Sequence, residues 1–202
     1  MARTTYHHGA LRQALIDGAR EILTEQGHEH FSLNEVARRA GVSTAAPYRH
    51  FAGKEELLTA VAEQGYETLR QDLARAAAAT PEVGARLLSL GGAYVRFARE
   101  HPDLFATMFR SRPGTGPVGL ESFDILLNTV AEAQHSGVIR RGPTPELMAR
   151  SIWSTLHGIA VLSLRRPHDL FGFNAPPEEL AAESLSALLG LEGPPQAATA
   201  TR

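Results

Sequence analysis

The chain has 202 residues, a hydrophobic fraction of 43% and a formal net charge of −2, a profile that fits a globular protein of one or two domains. It contains no cysteine, which excludes disulfides, cysteine-based zinc sites and cysteine nucleophiles. The near-neutral charge argues against a protein that coats DNA non-specifically. Because the sequence shows neither a signal segment nor an uninterrupted apolar run of membrane-spanning length, we expect a cytoplasmic protein without membrane contact.

A first helix is predicted from about Gly9 to Gln26, where apolar residues recur at helical spacing and a glycine follows. Residues 2–10 are polar, and we expect them to form a flexible arm. His28 and His30 lie in the loop behind the helix. We interpret both as surface residues, since no third metal ligand is close to them in the sequence.

The segment that begins at Phe31 carries the signals of a second helix. Ser32 can cap this helix, and Glu35 can bond back to the N–H of the cap. Phe31 and Val36 occupy the two positions of a hydrophobic staple. Gly41 follows the apolar face and predicts the end of the helix.

A further short helix is predicted after a tight turn, from Ser43 or Thr44 to about His50, which completes a helix-turn-helix. Pro47 is expected in its first turn, where a missing N–H costs least. The first side chains of this helix are small enough to let it approach base edges in the DNA major groove: Thr44, Ala45 and Ala46. The side chains that follow can reach phosphates or bases: Tyr48, Arg49 and His50.

A long helix is predicted from Lys54 to about Ala79, and the Lys54 ammonium at its start could meet a backbone phosphate. The rest of the chain is helical in its periodicity and free of repeats. We therefore predict an all-α fold. It has a three-helix helix-turn-helix domain at residues 1–55, a helical ligand-binding and dimerisation domain at 56–190 and a disordered tail at 191–202.

The predicted helix from Pro145 to about Leu164 is apolar on two faces. One face would pack on the core of its own domain. The other would pack on a second copy of the chain, together with the final helix at about 177–189. The alternative is that both faces are buried within one subunit.

Trp153 and His157 are four residues apart and therefore share a face of this helix. With apolar side chains from other helices they could line an apolar cavity with one polar group, the usual character of a small-molecule site. The complete predicted set is Phe105, Met108, Phe109, Phe123, Trp153 and His157. The alternative is that His157 is a hydrogen-bonded core histidine. We expect no cofactor and no metal site.

Three segments resemble the DNA-binding domain of the TetR family of bacterial transcriptional repressors: SLNEVARRAGVS at 32–43, YRHF at 48–51 and KEELL at 54–58. The resemblance implies that Tyr48, His50 and Lys54 contact DNA phosphates and that the residues from Ser43 to Ala46 lie over the bases. It also implies a homodimer formed through the last two helices. Pro47 stands where the family usually has an aliphatic residue.

The stretch from Ile152 to Gly158 resembles the Trp-His-Gly (WHG) subgroup of TetR C-terminal domains. Together these features indicate a ligand-responsive repressor, a homodimer that binds palindromic double-stranded operator DNA. A small apolar effector would release it by shifting the long shared helix. Repression is the habit of the family, and activation is the other possibility.

The leading alternative from another class is a small helical enzyme that uses His157 with a carboxylate such as Asp124 or Glu121. Against it, no nucleophile–base pair or metal-ligand spacing can be identified in the sequence. A non-specific architectural DNA protein is a third interpretation, which the near-neutral charge disfavours.

Overall fold

The computed structural model describes residues 3–110, 117–140, 142–165 and 175–191. Within these ranges the chain forms eight α-helices and one 3₁₀ turn and contains no strand, which confirms the all-α fold class. The loop predicted at 112–117 lies almost wholly outside the described residues. So does the predicted disordered tail, apart from Leu191.

The chain divides into two compact units, each built from two stretches of sequence. The first unit comprises Met1–Tyr66 and Asp103–Gly116, and the second comprises Glu67–Pro102 and Pro117–Arg202. The division therefore falls within a long helix and not at residue 55. The predicted boundary at residue 55 separates two functions, DNA binding and ligand binding, whereas the compact units are defined by packing. The boundary at residue 55 therefore stays a prediction.

The first unit contains the N-terminal helices and one short helix from later in the chain. These are α1 (Arg3–Gln26), α2 (Leu33–Arg39), the 3₁₀ turn Pro47–Arg49, the first part of α3 (Lys54–Ala79) and α5 (Pro102–Arg110). Its core is made of fully buried apolar side chains, among them Leu15, Ile22, Val36, Phe51 and Leu57. Burial of this stripe from each helix stabilises a small domain whose outer surface is polar.

The first helix begins at Arg3, six positions before the predicted start, so the expectation of a flexible arm over residues 2–10 is wrong for its described part. No glycine or proline occurs between Arg3 and His8, and nothing in that stretch interrupts helical hydrogen bonding. At its other end α1 stops at Gly27, whose φ of +71° is readily adopted by glycine alone.

The start of α2 follows the predicted cap in part. The Glu35 N–H donates to the Ser32 hydroxyl over 3.2 Å, as an N-cap requires. The Glu35 carboxylate does not complete a capping box; it pairs with Arg38, whose Nε lies 2.9 Å from it. Phe31 and Val36 are both buried, consistent with the predicted staple.

The predicted second helix of the helix-turn-helix is not an α-helix, and this prediction is wrong. Between residues 43 and 50 the hydrogen bonds span three residues: Ala46 N–H to Ser43 C=O and His50 N–H to Pro47 C=O, each 2.9 Å. Pro47 has no N–H, so it cannot donate the bond to the Ser43 carbonyl that an α-helix needs. The segment therefore closes as tight turns that end in one 3₁₀ turn.

The second unit is formed by the last part of α3 and four helices: α4 (Val83–Glu100), α6 (Pro117–His135), α7 (Pro145–Arg165) and α8 (Pro177–Leu189). Helix α4 is central, because it contacts α6, α7 and α8. The contact is close at Gly91, where an added Cβ would lie 2.6 Å from a Leu185 methyl and 3.2 Å from a Leu156 methyl. The glycine lets three helices meet around one point.

Helix α7 begins as predicted, since the Leu147 N–H donates to the Thr144 hydroxyl over 3.3 Å. Its inner face is buried. The exposed residues of α7 include polar side chains at Arg150, Ser151 and Ser154. Exposed leucines occur near both ends of α7 and on α8: Leu147, Leu162, Leu164 and Leu188. Among the described residues, Pro145–Leu164 is the one stretch long and apolar enough to cross a membrane by length and composition, although polar residues interrupt it. Only 28% of that apolar stretch is buried within the chain.

Candidate nucleic-acid interface and effector site

The segment predicted to read DNA is exposed along most of its length. Exposed side chains are Ser43, Thr44, Ala45, Tyr48 and Arg49, and Tyr48 retains 57% of its accessible surface. His50 is half-buried. Ala46 and Pro47 are buried. Ala46, which we predicted to be among the side chains facing the bases, therefore packs inward. Pro47 is buried beneath the segment, whereas Tyr48 and Arg49, which follow it, are exposed.

Lys54 stands at the first position of α3, close to the loop between α1 and α2. Its ammonium lies 3.1 Å from the Phe31 carbonyl oxygen and 3.4 Å from the His28 carbonyl oxygen. It also lies 5.3 Å from the centroid of the Phe31 ring, within cation–π distance. Both acceptors are uncharged, so the ammonium keeps its full charge, and two of its three N–H groups are used.

Two arginines of α2 are engaged inside the unit. Arg39 holds Glu25 of α1 in a bidentate pair with N–O distances of 2.6 and 2.7 Å, which ties the two helices together. This hydrogen bonding lowers the pKa of Glu25 and raises that of Arg39. Arg38 pairs with Glu35 on its own helix. The cationic contribution of the exposed segment thus comes from Arg49, with Lys54 beside it.

The interpretation of His28 as a surface residue is wrong. Its imidazole is half-buried, and its Nε2 lies 2.9 Å from the hydroxyl of Thr107 on α5. This loss of hydration lowers the pKa of His28, with a further lowering by the positive charges of Arg110 and Lys54. His30 is exposed, as expected. His28 and Thr107 are 79 positions apart in the sequence, which explains why no local pattern indicated the contact.

The predicted effector residues fall into both compact units. Phe105, Met108 and Phe109 belong to the first. There Phe105 and Met108 are buried, and Phe109 lies with its ring centroid 6.0 Å from that of Tyr66. The others, Phe123, Trp153 and His157, belong to the second unit and are half-buried. A single cavity lined by all six residues stays a prediction.

In the second unit, His157 has partners on two helices. Its Nδ1 lies 3.0 Å from the phenolic oxygen of Tyr94 on α4. The Trp153 indole stacks on the imidazole, with centroids 5.2 Å apart and planes inclined by 23°. Burial lowers the pKa of His157, which favours a neutral ring near pH 7. The three side chains form an aromatic cluster in which Tyr94 is buried and Trp153 and His157 are half-buried.

Sequence reasoning missed Tyr94 and Thr107 as partners of the two histidines. Tyr94 is recognisable in the sequence only as one member of the apolar stripe of α4, 63 residues from His157. Thr107 is a fully buried threonine on a short helix, and nothing in its sequence neighbourhood distinguishes it. No group of three or more potential metal ligands occurs among the described residues.

Comparisons with known proteins place both parts of the chain in one family. Residues 15–61 match the family described as "Bacterial regulatory proteins, tetR family". Residues 87–188 match the family described as "Tetracyclin repressor-like, C-terminal domain". A protein of unknown function from Rhodococcus sp. RHA1 shares 36% identity over 92% of this chain and 96% of its own, with a TM-score of 0.77.

Two further structures share the fold at lower identity. The TetR family transcriptional regulator PfmR from Thermus thermophilus is 22% identical over 89% of this chain and 99% of its own, with a TM-score of 0.64. FadR from Bacillus subtilis, solved in complex with stearoyl-CoA, is 17% identical over 88% of this chain and 97% of its own, with a TM-score of 0.67. The chain belongs to the TetR family of transcriptional regulators, proteins that bind DNA and carry a ligand-binding C-terminal domain.

Proposed function

We propose that the chain is a homodimeric repressor that binds a palindromic operator and is released by a small, mainly apolar effector. The observation that carries the proposal is the exposure of Ser43, Thr44, Ala45, Tyr48 and Arg49, a segment followed by Lys54 at the first position of α3. Small residues at its start allow close approach to base edges, and Tyr48 and Arg49 can reach phosphates or bases. Because its partner is DNA, we propose that the protein acts in the cytoplasm.

The outer surface of α7 supports a homodimer. It exposes leucines on α7 and α8, and burying them would remove a large apolar area from water. A second copy presents the same surface, so a twofold interface of four helices covers both. Such a dimer carries two reading segments, which matches the twofold symmetry of a palindromic site. In this proposal the membrane-like composition of α7 reflects an interface between subunits.

The aromatic cluster of Trp153, His157 and Tyr94 supports an effector site in the second unit, with Phe123 as a further apolar contact. A neutral imidazole can donate or accept one hydrogen bond without attracting a strongly charged ligand. The effector we propose is therefore largely apolar with one neutral polar group at the imidazole. This assignment fits the Trp-His-Gly element from which the WHG subgroup takes its name.

The DNA part of the proposal is tested by selecting duplexes from a random library with the purified protein and measuring their binding at several salt concentrations. We expect enrichment of palindromic sequences whose half-sites are about 10 base pairs apart, or a multiple of that. Their affinity should fall steeply as salt rises. Failure to enrich any sequence over the starting library would refute the repressor proposal.

The effector part is tested through fluorescence, because Trp153 is the single tryptophan in the sequence. Long-chain alcohols and fatty acid methyl esters are suitable first probes, since each is apolar with one neutral polar group. Stearoyl-CoA, with which FadR from Bacillus subtilis is solved, serves as the charged comparison. An effector should change the Trp153 emission and reduce operator affinity at the same concentration. A compound that releases DNA without changing this emission would place the effector site elsewhere.

The enzyme alternative gains no support from the contacts described. The hydrogen bond at Nδ1 of His157 is to the Tyr94 phenol and not to Asp124 or Glu121. A Glu121 carboxylate oxygen lies 3.8 Å from the Arg70 guanidinium. Members of the TetR family are usually not enzymes, and we propose the same for this chain.

A further inference from the structure

Lys54 owes its orientation to the loop between α1 and α2. A lysine ammonium on a flexible four-carbon stem normally samples many positions, and each immobilised side chain of this kind costs binding free energy. Here two loop carbonyls and the face of the Phe31 ring restrain it before any DNA is bound. The position of the ammonium therefore depends on whether the loop holds those carbonyls in place.

The loop is fixed through the side chain of His28. Thr107 has one hydroxyl hydrogen, and it donates this hydrogen to the Asp103 carbonyl oxygen 2.7 Å away. The bond between His28 and Thr107 must then run from a protonated Nε2 to the Thr107 oxygen, over 2.9 Å. Thr107 is fully buried in α5 and serves as a rigid anchor. The loop has other contacts, a 3.2 Å hydrogen bond from the His30 Nδ1 to the Gln26 carbonyl oxygen and the buried Phe31 side chain, and the bond of His28 ties it to α5.

His28 thus makes two different connections. Its side chain binds the loop to α5, and its backbone carbonyl accepts a hydrogen bond from Lys54. We propose that His28 is a positioning residue for DNA binding: it holds the Lys54 ammonium in the orientation that meets a DNA phosphate. The inference rests on the phosphate contact of Lys54 in the proposed function, and it adds a residue that does not itself touch DNA.

We expect His28→Ala to change DNA affinity but to have little effect on its salt dependence. Loss of the anchor frees the loop and the lysine stem, which should weaken DNA binding by about 3- to 10-fold for each subunit. The charge of Lys54 remains, so the slope of log affinity against log salt concentration should change much less than in Lys54→Ala. Removal of the lysine itself should reduce that slope by about 0.9 for each subunit.

The chain offers matched variants. A glutamine Nε2–H stands close to where the Nε2–H of histidine stands, so His28→Gln should restore most of the affinity. An asparagine places its amide nearer to the Nδ1 position, and His28→Asn should behave like His28→Ala. Thr107→Val removes the acceptor and should weaken binding as His28→Ala does, whereas Thr107→Ser keeps the hydroxyl. Each variant should be assayed well below its own unfolding temperature.

The decisive measurement is a double-mutant cycle on Lys54→Ala and His28→Ala, with full-length protein. The probe is a mixed-sequence duplex of about 30 base pairs at low salt, long enough for two half-sites about 10 base pairs apart, because phosphate contacts do not depend on sequence. We expect His28→Ala to weaken binding in the presence of Lys54 and to have no further effect in the Lys54→Ala background. His28→Gln should rescue the affinity.

Three outcomes would overturn the inference. The first is an equal loss from His28→Ala in both backgrounds, which would mean that His28 only supports the fold. The second is no loss in the presence of Lys54, and the third is failure of His28→Gln to rescue. A different result would count against the proposed docking instead: if Lys54→Ala changes neither affinity nor salt slope, Lys54 makes no phosphate contact for His28 to organise.

Discussion

The phenol of Tyr94 and the imidazole of His157 meet inside the second compact unit, 3.0 Å apart at oxygen and Nδ1. The pair connects α4 to α7, and the Trp153 indole stacks on the same imidazole. Because the ring is half-buried, its protonated form is less well hydrated in the folded protein than in the unfolded chain. The cluster therefore links the stability of this unit to pH.

The first prediction concerns that link. Burial lowers the pKa of His157 in the folded protein below its unfolded value of about 6.5. As pH falls through about 6.5 the unfolded chain binds this proton first, so the free energy of unfolding decreases toward the folded pKa and levels off below it. His157→Gln should flatten urea-denaturation stability between about pH 7.5 and 5.5. His28, whose pKa is also lowered, supplies the remaining slope in that variant.

Ser154→Ala serves as the control, because it changes an exposed residue of the same helix and leaves the imidazole in place. It should keep the pH dependence of the wild type. An unchanged profile in His157→Gln would show that this imidazole does not contribute.

The second prediction compares two helical glycines. An added Cβ at Gly65 of α3 would lie 2.6 Å from the sulfur and 2.8 Å from the Cγ of Met108, whereas one at Gly92 of α4 would meet nothing within 4 Å. Alanine is favoured over glycine in a helix by about 0.5–1 kcal/mol, and overpacking costs about 1–3 kcal/mol. Gly92→Ala should therefore raise the unfolding temperature and Gly65→Ala should lower it. Equal increases in both would mean that Met108 moves aside freely.

The third prediction addresses the homodimer. Leu162→Arg and Leu188→Arg each place a charge on the outer surface of α7 and α8, and burying an unpaired charge in an interface is costly. Both should shift the protein to a monomer in sedimentation velocity and weaken binding to a palindromic site. Leu120→Arg is the control, since Leu120 is 60% exposed but lies on α6. Were all three variants to stay dimeric, the subunit interface would have to be sought on another face.

The fourth prediction separates affinity from sequence preference. Tyr48→Ala should weaken binding to every duplex to a similar extent, because contacts to phosphates carry no sequence information. Thr44→Val or Ala45→Ser should instead change the preferred half-site, and a base pair that is lost from recognition costs about 1–3 kcal/mol. Selection from a random library with each variant measures both effects. If Thr44→Val selects the same half-site as the wild type, Thr44 does not contribute to base recognition.

Helix ends were predictable from the sequence where capping residues mark them. Thr144 and Pro145 start α7, and a glycine with positive φ ends α8 at Gly190. Apolar residues at helical spacing between such signals also mark the buried stripe of α4. These features depend on neighbours within one or two turns, and such neighbours are visible in a single sequence.

The errors have two physical origins. At Pro47 the helix-turn-helix pattern predicted an α-helix, but proline has no N–H to donate to the preceding turn. The segment therefore forms a 3₁₀ turn. At His28 the decisive partner is Thr107, which folding brings close from far along the chain. No periodicity or capping rule reports a contact of that kind. The Tyr94 partner of His157 was missed for the same reason, because it lies 63 positions away in the sequence.

Lys54 is the single lysine among twenty basic residues, the other nineteen being arginines. Reductive methylation with isotope-labelled formaldehyde, which spares the guanidinium groups, would therefore introduce one side-chain NMR signal besides that of the terminal amine. The modification retains the positive charge. The protein thus provides its own spectroscopic reporter, placed at the residue that we propose meets a DNA phosphate.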